Sequence, residues 1–364
     1  MSTFNEASYE NSIIELFENL GYVHLYGPEV DRDIHSPLME DQLYDSLETI
    51  NPNLPKAAIN EAVFKVKNYE AGSLLSKNEV FTDYMQNGVQ VSFVDKGEQK
   101  SDLVRLVDYN TPSLNSFIVA NQWTYSEYET KRPDIVIFLN GIPVVVIELK
   151  SPKADSVTIE DAYLQIQNYK KSIESFFIYN AFSVISDQSQ TKAGTITASI
   201  DRFMEWKTED GDYEETRFAD FTTLFKGMFA KIRFLDILHN FICFSKEAGG
   251  DAKILAAYHQ YFAVKKAVES TKKASADGGD GRGGVFWHTQ GSGKSLSMVF
   301  YAKYLQDALN SPTIVVITDR NDLDDQLFTQ FSKCKDFLRQ TPVQADKRRL
   351  SEEDLERNQS KKNP

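Results

Sequence analysis

The stretch Arg132–Lys150, RPDIVIFLNGIPVVVIELK, decides the fold. Two apolar runs flank Asn140-Gly141, a strong signal for a tight hairpin turn. Each run is apolar on both faces, which places the strands in the middle of a sheet. Their charges stand at the ends: Asp134 at one, Glu148 and Lys150 at the other. A two-residue loop pairs Asp134 with Ile147 and turns Glu148 to the opposite face, because side chains alternate with period 2. A three-residue loop ending at Gly141 as a left-handed bulge residue pairs Asp134 with Val146, and Asp134, Glu148 and Lys150 then share a face. Across such a pair two carboxylates lie about 5 to 8 Å apart at Cβ. That suits one hard divalent cation such as Mg²⁺, and a lysine beside it completes a set of groups able to cut a phosphodiester. The plain alternative is a pair of solvated strand ends with Lys150 as their ion partner.

Working outward, the apolar stripe Ile13, Ile14, Phe17 and Leu20 predicts a first helix over residues 6–20. Glu10 precedes that stripe by one turn, so its carboxylate faces the core side and is a candidate third oxygen ligand. Helices are expected around QLYDSLETI and AAINEAVFKVKNY, and strands around VQVSFVD, DLVRLVDY and SFIVANQW. After the hairpin, residues 158–176 have helical period and carry Gln165 and Tyr169 at i and i+4, on one face. AFSVISD reads as a further strand, and FTTLFKGMFAKIRFLDILHNFICF as a long, largely apolar helical region.

Near Lys246 the character changes. A helix is expected over KILAAYHQYFAVKKAVEST, then a Gly-rich loop, KKASADGGDGRGG. Strand GVFWHT, turn QGSGK, helix SLSMVFYAKYLQDAL, strand TIVVIT and helix DLDDQLFTQF follow, the βαβα order of a doubly wound parallel sheet. Within it, HTQGSGKS has the form of a P-loop: backbone N–H groups of Gly291, Ser292 and Gly293 cradle phosphates, Lys294 reaches the terminal ones and Ser295 takes Mg²⁺. Upstream, Tyr258 and Gln260 are an aromatic and an amide suited to stacking on and reading adenine; taken alone, Gln260 reads as an ordinary surface residue. His288 stands where the usual pattern has its first glycine.

The net charge is −13, of which residues 1–150, with 23 acids against 11 bases, hold −12. That balance argues against a broadly basic nucleic-acid surface and leaves room for a narrow basic channel. The only cysteines, Cys243 and Cys334, are far apart in sequence, which excludes a disulfide scaffold and a Cys-based zinc site. No run of residues reaches the length of a membrane span, and the N-terminus lacks signal-peptide character. A cytoplasmic protein is the expectation.

Taken together, these motifs resemble the restriction (R, motor) subunit of type I restriction-modification enzymes, whose nuclease belongs to the PD-(D/E)xK superfamily and whose motor is a superfamily 2 helicase-like ATPase. The resemblance covers nearly the whole chain from Glu6 to about Phe337. Asp134, Glu148 and Lys150 look like the nuclease triad, Glu10 like the N-terminal helix acid, Gln165 and Tyr169 like the QxxxY motif. AYHQY looks like the Q motif, WHTQGSGKS like motif I, and VVITDRNDLDDQ like motif Ia, with Asp319, Arg320, Leu323 and Gln326 matching. The resemblance implies an α/β nuclease domain with a central mixed sheet over residues 1–240, then over 241–364 an incomplete RecA-like parallel α/β domain. It implies Mg²⁺, ATP, double-stranded DNA and partner methyltransferase and specificity subunits, with cleavage of unmodified foreign DNA. KRRLSEEDLERNQSKKNP reads as a charged tail where a Walker B strand would be expected, so an N-terminal fragment is expected, its nuclease complete and its ATPase not. The rival readings are a non-catalytic interaction module and a piece of an RNA helicase or P-loop kinase.

Overall fold

A computed structural model describes residues 6–150, 158–319 and 321–344; the charged tail, and Arg320 of the motif Ia match, lie outside the described residues. Helix α1 (Glu6–Asn19) leads into β1 (Val23–Tyr26), then α2 (Glu40–Ile50), α3 (Lys56–Lys67) and α4 (Leu74–Asn87). A projecting hairpin, β2 (Val89–Asp95) and β3 (Glu98–Val104), precedes β4 (Phe117–Asn121) and the short pair β5 (Tyr125–Ser126) and β6 (Thr130–Lys131). The decisive hairpin is β7 (Ile135–Leu139) and β8 (Ile142–Leu149). It is followed by α5 (Ile159–Ser172), α6 (Glu174–Phe177), β9 (Phe182–Ser186), β10 (Thr191–Gly194) and β11 (Met204–Glu205).

Seven of these strands form one mixed sheet in the order β1-β4-β7-β8-β9-β10-β11, with β1/β4 and β8/β9 parallel and the other neighbours antiparallel. As the two-faced apolar pattern requires, β7 and β8 are central, and every residue of both is buried. Ile135, Ile137, Val145, Ile147 and Leu149 face the larger core, with Ile13 and Phe17 of α1. Val136, Phe138 and Val146 face the smaller core, which α5 covers with Ala162, Ile166 and Tyr169.

The hairpin register is neither of the two expected from sequence. The loop has two residues, Leu139 pairing with Ile142, with Asn140 (φ 53°) and Gly141 (φ 80°) both left-handed as a type I′ turn needs. The ladder then shifts: Phe138 pairs with Pro143 but Ile137 with Val145, leaving Val144 as an extra residue. Beside a two-residue turn the first pair is hydrogen-bonded and the next, here Phe138 and Pro143, is not, so a proline is tolerated at that position and the bulge follows it. Continued one step past Ile135↔Ile147, the register sets Asp134 opposite Glu148. The shared face was right, but a bulge in β8 produces it.

The remainder comprises α7 (Phe221–Phe229), α8 (Lys231–Asn240), the hairpin β12 (Ile242–Ser245) and β13 (Ala252–Leu255), α9 (Tyr258–Ser275), α10 (Lys294–Ala308), α11 (Asn321–Lys333) and α12 (Lys335–Leu338). Three expectations are corrected here. The long helical region breaks at Ala230, whose ψ of 120° is extended, and its last residues form β12. The helix expected from Lys253 begins only at Tyr258, because residues 252–255 pair with β12. The parallel sheet is absent from the described residues: 284–289 and 313–318 take no regular secondary structure and join no ladder, and Val285, Trp287 and Ile317 are 98%, 78% and 86% exposed. A parallel ladder is slightly weaker per residue than an antiparallel one and needs neighbours to be stable; these segments have none. Cys243 and Cys334, distant in sequence, meet as free, buried thiols in hydrogen-bonding contact.

Candidate active site at the open end of the hairpin

Asp134 lies just before β7, and Glu148 and Lys150 lie at the end of β8. The backbone N–H of Gln122 donates to the Asp134 carbonyl at 2.8 Å, and the Leu149 N–H donates to Asp134 Oδ2 at 2.8 Å. Glu148 is 2% exposed. Its Oε1 accepts from Lys150 Nζ at 2.5 Å and its Oε2 from the Tyr169 hydroxyl at 3.0 Å. Helix α5, started by a Thr158–Asp161 capping box, carries Tyr169 inward. Gln165, one turn earlier, reaches the same hydroxyl. The structure thus brings together Asp134, Glu148, Lys150, Gln165 and Tyr169.

Like charges packed together in a dry place resist ionisation. Burial, and next the charge of Glu148, push the Asp134 carboxyl up to about 8, against the Leu149 N–H and Lys150, which pull it down; Glu10 adds a smaller upward push. Burial and the neighbouring Glu148 charge likewise raise Tyr169, which therefore stays a protonated donor. Two carboxylates so placed suit a divalent cation: it would offset the repulsion that their burial creates. Among the described residues no three His, Cys, Asp or Glu side chains converge as ligands, so the site offers a pair. Glu10 stands apart, its Oε1 accepting from Asn121 Nδ2 at 2.6 Å and its Oε2 from Gln122 Nε2 at 2.7 Å. Asn121 and Gln122 escaped the sequence reading, which took them only as the end of a strand; the available signal was two adjacent amides closing an otherwise apolar run.

The P-loop lies elsewhere. Gly291 (φ 81°) and Gly293 (φ 78°) are left-handed, and α10 starts at Lys294 directly behind them. A side chain at Gly293 would meet Gln260 Nε2 at 2.7 Å. Lys294 Nζ bends back to the carbonyls of His288 and Thr289 at 3.0 and 3.1 Å, and Ser295 is half-buried in the first helical turn. Gln260 spends both ends of its amide on the protein: Oε1 accepts from the Ala257 N–H at 3.0 Å and Nε2 donates to the Gly293 carbonyl at 3.1 Å. Tyr258, beside it, packs edge-on to His259. The glycine turn and the uncapped start of α10 fit a polyphosphate; the strands expected to flank them are not formed.

The sequence matches the family described as type I restriction enzyme R protein N terminus over residues 3–202, and SWI2/SNF2 ATPase over residues 259–363. It is 38% identical to the type I restriction enzyme HindI endonuclease subunit of Haemophilus influenzae, over 94% of this chain and 34% of the relative. It is 33% identical to the putative type I restriction enzyme MjaIXP endonuclease subunit of Methanocaldococcus jannaschii, over 89% and 34%. A Staphylococcus aureus type I endonuclease subunit is 22% identical over 92% and 34%. The chain spans about a third of the length of these curated relatives. With its mixed sheet, its paired carboxylates and these matches, the chain belongs to the family of type I restriction enzyme R proteins.

Proposed function

We propose that this chain carries the DNA-cutting site of a type I restriction enzyme, a PD-(D/E)xK nuclease over residues 1–240, with the start of a RecA-like, ATP-driven DNA motor after it. The observation that carries the reading is the placement of half-buried Asp134 opposite buried Glu148 on one face, with Lys150 and Tyr169 both bonded to Glu148. Asp134 and Glu148 are the groups that would hold Mg²⁺, which when bound supplies Lewis-acid stabilisation of charge building on the scissile phosphate. Lys150 lies where an ammonium can orient the attacking water or steady the developing charge. Tyr169 fixes the Glu148 carboxylate, and Gln165 steadies Tyr169. In the second half Gly291, Ser292, Gly293, Lys294 and Ser295 would hold the phosphates of ATP and its Mg²⁺, Lys294 exchanging loop carbonyls for phosphate oxygens. Tyr258 would stack on adenine, with Gln260 linking that end of α9 to the P-loop. The substrate is unmodified double-stranded DNA, translocated by the whole subunit, with methyltransferase and specificity subunits choosing the site in the cytoplasm.

The test is plasmid cleavage in Mg²⁺ by wild type, Asp134→Ala and Lys150→Ala, with and without the methyltransferase and specificity subunits. Loss of cleavage in both variants is expected. Cleavage at the wild-type rate in both would make the carboxylates structural and end the reading.

A second reading, a module completed by another protein, is favoured by the exposed apolar residues Val285, Trp287 and Ile317. Limited proteolysis separates the two: a protected core ending near residue 240 supports an autonomous nuclease. Whole-chain protection that appears only with a partner subunit supports the module.

A further inference from the structure

Glu10, Asn121 and Gln122 form a small polar cluster at the edge of the carboxylate site. Glu10 is only 7% exposed, and both its oxygens are occupied by amide donors. Bonds from N–H groups to an ionised carboxylate are stronger than those to a neutral acceptor. Turning the carboxylate toward a cation would take the acceptor from the buried Asn121 amide and the half-buried Gln122 amide. Asn121 is held from its other side, its Oδ1 bonded to His24 Nε2 at 2.9 Å. Gln122 follows the last residue of β4 and takes a left-handed φ of 53°, unusual for a residue other than glycine. That turn lets one residue face two ways: its side chain reaches Glu10, while its own N–H holds the carbonyl of Asp134.

We propose that Gln122 is a positioning residue for Asp134, and that Glu10 serves the site by anchoring Gln122 and does not ligate the cation. The proposal rests on the reading of the hairpin as a metal-dependent nuclease site. The other side of the site is braced from the same helix. The Tyr9 hydroxyl bonds Ser186 Oγ at 2.6 Å, and the Ser186 carbonyl accepts the Lys150 N–H at 2.8 Å. Consecutive residues of α1 therefore grip β4 beside Asp134 and β9 beside Lys150. Local strain at Gln122, held by its surroundings, is the kind found where geometry must be fixed.

The test compares the full chain with Asp134→Ala, Glu10→Ala, Gln122→Gly and the double variant Glu10→Ala/Gln122→Gly. Glycine accepts the left-handed backbone while removing the whole side chain; Gln122→Asn, one methylene too short to reach Glu10, keeps a Cβ and an amide and serves as a second such variant. Mg²⁺ affinity is read by calorimetry without DNA, so it does not depend on turnover, and kcat and KM are read on plasmid DNA. Loss of an outer partner of a metal ligand typically costs about 10- to 100-fold. Gln122→Gly and Gln122→Asn should each weaken Mg²⁺ binding or kcat on that order, with KM for DNA and the melting temperature unchanged. The double variant should be no worse than either single one, because the two residues act as a unit. Losses that multiply, wild-type behaviour of both Gln122 variants, or a Mg²⁺ loss confined to Glu10→Ala would overturn the proposal. Asp134→Ala separates the two claims: if it loses Mg²⁺ binding and cleavage while the Gln122 variants are normal, only the positioning role falls. If Asp134→Ala itself binds and cuts as wild type, the nuclease reading falls and the proposal with it.

Discussion

Asp134 is a side chain whose surroundings oppose its ionisation. Its folded pKa of about 8 lies above the ordinary value of 3.8, so between those limits the folded chain holds a proton that the unfolded chain releases. Stability contributed by this residue is therefore complete at low pH and is lost as pH rises through about 8. The metal-free wild type should melt lower at pH 9 than at pH 5, and Asp134→Asn should lack that part of the decline, the difference being on the order of a few degrees. Added Mg²⁺ at high pH should raise the melting temperature of the wild type and not of the Asn variant, since a ligand stabilises only the state that binds it. Scanning calorimetry of both proteins across pH checks this. Parallel pH curves would mean that Asp134 ionises normally and that the two carboxylates do not repel each other. At this scale the sequence offered Asp134, Glu148 and Lys150 as candidates, charged residues at the ends of apolar runs, and Tyr169 only through its i, i+4 spacing from Gln165. It was silent on Gln122, whose role comes from one left-handed torsion that no residue preference announces.

At the scale of elements, binary pattern alone made the β7–β8 hairpin, its central position and the helix over it legible. The register was not, because it depends on a single extra residue, Val144, that the alternation of side chains does not announce. Apolar runs without clear period were the other failure: Phe221–Phe244 reads equally as buried helix or strand, and the chain uses both. The turn itself is packed as tightly as the strands. Asn140 is fully buried, donating to the Leu106 carbonyl and accepting the Ser116 N–H, while the Gly141 carbonyl takes the Met39 N–H that opens α2. A Cβ at Gly141 would lie 2.5 Å from the Met39 carbonyl oxygen and 2.8 Å from the Leu43 nitrogen, and both are backbone atoms that cannot swing aside. Gly141→Ala should therefore cost about 2–4 kcal/mol, combining left-handed strain with overpacking. Urea denaturation measures it; a loss within about 0.5 kcal/mol would mean that α2 is free to move off the turn.

For the whole molecule the question is what joins the sheet to the segment that bears the P-loop. The larger core runs without interruption from α1 through Val264 and Val268 of α9 to Val299 and Phe300 of α10. Across that junction one buried amino group bonds to both sides. Lys253 of β13 is 3% exposed, and its Nζ donates to Asn78 Oδ1 and the Asn180 carbonyl, each at 2.8 Å. Asn180 directly precedes Ala181, whose N–H donates to the carbonyl of Val144, the bulge residue of β8. Burial pulls the Lys253 amine down to about 7, so between about 7 and its ordinary 10.5 the unfolded chain holds a proton that the folded chain lacks. By linkage, stability from this residue is lowest below about pH 7 and recovers as pH rises toward about 10. Lys253→Ala should cost on the order of 3 kcal/mol, from the cavity and from the Asn78 Oδ1 left unpaired, the Asn180 carbonyl still accepting from Asn78 Nδ2. Lys253→Met, which keeps most of the stem and buries no charge, should cost less, and its deficit relative to wild type should widen from pH 7 to pH 10 as the wild type gains. Because the junction and not the sheet is loosened, hydrogen exchange in Lys253→Ala should speed up first at β12 and β13 while β7 and β8 keep their protection. Equal acceleration in both places would mean that the two regions open together, and that Lys253 is one core contact among many.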